Sequence, residues 1–95
     1  MSSRTKEELG FAGVHGEELA AVPIRGPDGM MTLYEAASWL YDAHQESDPD
    51  EQKAVMLAVE LARLRREAER VEDVELVGAT DALETSAREI WATES

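Results

Sequence analysis

His15 lies between Val14 and Gly16, and His44 is followed by Glu46, Asp48 and Asp50. A histidine with three nearby carboxylates has the donor types of a divalent-cation site. The spacing favours plainer parts. Asp48-x-Asp50 lacks the glycine turn and distal glutamate of a calcium-binding loop. His44 falls at the end of an expected helix, where a protonated imidazole favours the dipole, and the two aspartates suit the start of the next helix. No metal site is assigned. Serine, histidine and aspartate are all present, but no serine sits in a nucleophile-elbow sequence. The glycines form neither GxxxxGK nor GxGxxG. With no cysteine in the chain, thiolate chemistry and disulfides are excluded. The expectation is a protein without catalytic residues and without a cofactor.

What the sequence offers instead is charge. The 95 residues hold 21 Asp and Glu against 9 Lys and Arg, a net charge of −12. Residues 33–52 contain six acids and no base, and residues 71–95 contain seven acids and one base. Residues 53–70 reverse the sign, with five bases and three acids. Direct nucleic-acid binding is not expected, since phosphate backbones need clustered positive charge. Few lysines, many acids and abundant alanine resemble the composition of proteins from salt-loving or high-GC microbes. In such a host the acidity would be a solubility device, and the acidic segments would scatter around the fold. A functional acidity would bring them together.

The acidic residues singled out as partner-binding candidates are Glu46, Asp48, Asp50, Glu51, Glu84 and Glu89. Trp39 and Trp91, with Arg65 and Arg66, are the aromatic and basic candidates, because Trp and Arg dominate interface energetics. Both tryptophans fall on expected helices and should cap the core; either becomes an interface anchor if exposed.

These residues must be held by one small domain spanning 1–95, which is too short for a second core. Hydrophobic residues are 43%, but 14 of them are alanine. The longest apolar run, Ala54 to Val59, is far too short to span a membrane, and the opening MSSRTKEELG lacks the apolar stretch of a secretory signal. A cytoplasmic protein is expected, or a virion component if the chain is structural. Residues 1–18 read as a mobile arm.

Five of six glycines precede residue 30, so the N-terminal third is strand and loop. A small hairpin is expected from about 19–24 and 30–32, turning through Arg25-Gly-Pro-Asp-Gly29, with Pro23 confining its strand to an edge. Thr32-Leu-Tyr-Glu35 has the capping-box pattern. It opens a helix over about 33–45, with Leu33, Ala37, Leu40, Tyr41 and His44 on one face. Asp48 as N-cap and Pro49 at the first position open a second helix, about 49–71. Its spine is Ala54, Leu57, Leu61, Leu64, Ala68 and Val71, widened by Val55, Met56 and Val59. Val74 to Val77 reads as a short strand or a frayed helix end, and Thr80 or Asp81 caps a last helix, about 81–93. The fold class is α+β, predominantly helical, with three helices and a hairpin.

The spine has heptad spacing, but over only about two and a half heptads, and its a positions include alanine. It reads as a central core helix, with a homodimer through helix 49–71 kept as a partner arrangement. The functional expectation is a non-enzymatic acidic protein-binding module. It would be a phage or mobile-element inhibitor that occupies a basic, nucleic-acid-binding surface of a host protein. Small acidic phage inhibitors of nucleases are similar in size and charge. Two alternatives are a small assembly subunit of a virion or complex, and a small regulatory DNA-binding protein using Arg63, Arg65, Arg66 and Arg70.

Overall fold

The computed structural model describes Phe11, residues 16–27 and residues 29–92. Of the expected arm over 1–18, residues 1–10 and 12–15 lie outside the described residues, as does His15. Phe11 is buried, and Gly16–Ala20 forms a short helix, α1, that the sequence pattern does not predict. Gly16 lies so close to the Phe11 carbonyl that a Cβ there would collide with it.

Two strands come next, β1 (Pro23–Gly26) and β2 (Gly29–Thr32). They pair antiparallel, with Pro23 opposite Thr32 and Gly26 opposite Gly29. The hairpin is the expected one, displaced along the chain. Gly29 supplies the positive φ, +123°, where the chain reverses. The Leu33 amide donates to the Val22 carbonyl (2.9 Å) and ties the residue before β1 to the residue after β2.

Helix α2 (Leu33–Ala43) opens as its sequence dictates. The Glu35 amide donates to Thr32 Oγ1 (3.1 Å), and the Thr32 amide donates to Glu35 Oε1 (2.9 Å). The buried face is Leu33, Ala36, Ala37, Leu40 and Ala43. It is turned slightly from the expected one, so Tyr41 and His44 are exposed.

Helix α3 (Glu51–Arg70) starts two residues later than expected. Asp50, not Asp48, is the N-cap: its carboxylate accepts from the Lys53 amide (3.1 Å) and its carbonyl takes the first helical bond, from Ala54 (3.1 Å). The stretch Asp-Pro-Asp-Glu offers two equivalent starts to a local rule, and the packed position of Ala54 selects the second. Ala54, Leu57, Ala58, Leu61 and Ala68 are buried. Val55, Met56 and Val59, expected to widen the core stripe, are exposed instead.

The end of α3 is a Schellman turn. Glu72 takes the left-handed conformation (φ 58°), its amide donates to the Glu69 carbonyl (3.1 Å), and the Asp73 amide donates to the Ala68 carbonyl (2.9 Å). Asp73 then caps the next helix, accepting from the Leu76 amide at 3.2 Å. Helix α4 therefore spans Val74–Ala92, and the strand expected at 74–77 is its first turn. Asp73 starts the helix there, and packing of Leu76 and Ala79 on the core overrides the strand preference of Val74 and Val77. Thr80 is wholly buried inside α4 and is not a cap; its hydroxyl donates back to the Leu76 carbonyl at 2.7 Å.

The fold is thus α+β and predominantly helical. The short turn at 71–73 folds α4 back antiparallel on α3, and α2, α1 and the hairpin close the core around Leu33, Leu40, Leu57 and Leu61.

Candidate protein-binding surface

The candidate residues separate into three environments. Glu46, Asp48 and Asp50 lie in the connection between α2 and α3, and Glu51 is the first residue of α3; all four are exposed. None of the four forms an ion pair with another described residue. Their negative charge stands at the positive end of the α3 dipole, which stabilises it without neutralising it.

Glu84 is the opposite case. Only 4% of its surface is exposed, so it belongs to the interior and not to an acidic face. Arg65 Nε donates to its Oε1 (3.1 Å), and Arg88 Nη2 reaches its Oε2 (2.5 Å). Arg65 also pairs with Glu69 at 3.3 Å. Arg65 is therefore a clamp between α3 and α4 and not a partner-facing arginine. Its hydrogen bond to Glu84 holds its guanidinium above the usual arginine range. The pattern that could have exposed this was helical phase. Glu84 directly follows Leu83 and lies three residues before Ala87, both buried.

Glu89 is exposed on α4, two residues after buried Ala87 and so on the outward side of the helix. Asp73 and Glu75 stand at the far end of the helix pair from the 46–51 group, about 30 Å away for the twenty residues of α3. The structure brings Glu46, Asp48, Asp50 and Glu51 to one end, and Glu89 lies on the half of α4 that folds back toward that end, about one turn beyond Ser86. Trp39 and Trp91 are both partly buried against the core. Lys53 Nζ lies 5.0 Å from the centre of the Trp39 ring, a cation–π contact at the acidic end. Arg66 is exposed on the outer side of α3.

His44 faces a groove of about 490 Å³ between α2 and α4, lined also by Tyr41, Leu40, Leu83 and Ser86. Its Nε2 is 2.9 Å from both the carbonyl oxygen and the Oγ of Ser86. A carbonyl only accepts, so the tautomer with a proton on Nε2 donates to Ser86 and straps the end of α2 to the middle of α4. No group of three His, Cys, Asp or Glu side chains among the described residues is placed to hold a metal ion. Among the described residues no helix is long and apolar enough to cross a membrane. No family model, curated protein or solved structure matches the chain.

Proposed function

We propose that the protein is a non-enzymatic binding module that uses its acidic end against a basic surface of another protein. The observation that carries the reading is the contrast in pairing. Buried Glu84 takes two arginines from its own chain, whereas Glu46, Asp48, Asp50 and Glu51 are exposed and form no ion pair with any described residue. Unneutralised charge at one end of a rigid helix pair raises the local potential and steers an oppositely charged partner. A groove that normally holds nucleic acid has the matching chemistry. This is the action of a phage or mobile-element inhibitor in the host cytoplasm.

The test is capture of host proteins on the tagged chain at about 50 mM and about 500 mM salt, beside the variant E46Q/D48N/E51Q. A nucleic-acid-handling protein held at low salt, released at high salt and lost from the variant is the expected result. Capture that ignores both salt and the substitutions overturns the reading.

The exposed apolar residues Val55, Met56 and Val59 favour a second reading, an assembly subunit of a virion or other complex. That reading expects a stable self-associated form in light scattering.

A further inference from the structure

We draw no further inference here: the strongest candidate, the exposed apolar face of α3 formed by Val55, Met56 and Val59, has no neighbour in the fold, and nothing in the structure shows what covers it.

Discussion

Glu84 and Asp48 carry the same charge and stand in opposite relations to the fold. Glu84 lies inside, between α3 and α4, with Arg65 and Arg88 on its two oxygens. Asp48 lies in the connection before α3, exposed and without an ion-pair partner among the described residues. The first is a structural fastening whose charge is neutralised within the chain. The second contributes field and little else. The number of acidic residues therefore overstates the carboxylates that a partner meets, and the difference lies in where each one falls in the fold.

Breaking the inner member of this pair should have the largest effect. Glu84→Ala leaves Arg65 without its main acceptor and opens space between α3 and α4. A loss of about 2 kcal/mol in urea unfolding is expected, below that for broken fully buried pairs because Arg65 is partly solvated. A loss below about 0.5 kcal/mol would show that Glu84 is not the fastening described.

The capping aspartates come next. Asp50→Ala and Asp73→Ala each remove a carboxylate that accepts a helix amide, from Lys53 and from Leu76 respectively. Each should cost about 1 kcal/mol, while Asp50→Asn should cost only a few tenths, because asparagine caps as well. The same substitution at Asp48 tests the correction to the start of α3. If Asp48→Ala cost as much as Asp50→Ala, the helix would begin where the sequence alone placed it.

These residues also show which features local sequence can carry and which it cannot. The Thr32–Glu35 capping box and the apolar spacing of α3 were legible because each depends on residues within one or two turns. Asp48 and Asp50 were not distinguishable, since both satisfy the same local rule. Val74 to Val77 has strand-like residue types, and only Asp73 as a cap and the docking of Leu76 decide the helix. Helical phase puts Glu84 beside buried Leu83 and Ala87, but its pairing with Arg65, nineteen positions away, is announced by no local pattern. The candidate site was legible as a charged segment, and the structure then removed Glu84 and Arg65 from it.

A smaller effect, of opposite sign, is expected at Glu72. It holds a left-handed conformation in the Schellman turn, which a residue with a Cβ adopts at a cost. Glu72→Gly should raise stability by roughly 0.5 kcal/mol, the relief of that cost less the entropy glycine loses on folding. A decrease in thermal stability would mean that the Glu72 side chain contributes more than its backbone costs.

The smallest effect on stability belongs to the outer member of the comparison. Glu46→Gln and Asp48→Asn, made together, remove two charges that lie outside the helices and touch no base among the described residues. Their effect on unfolding should stay within about 0.5 kcal/mol. Removing like charges from a crowded acidic end relieves some repulsion, so a slight gain is the expected sign. That gain should shrink as salt rises, because exposed charges are screened over about 10 Å at 0.1 M salt. A salt-independent loss of stability would instead mean that these carboxylates accept specific hydrogen bonds. They would then be fastenings like Glu84, and the acidic end would be part of the scaffold and not a surface kept free for a partner.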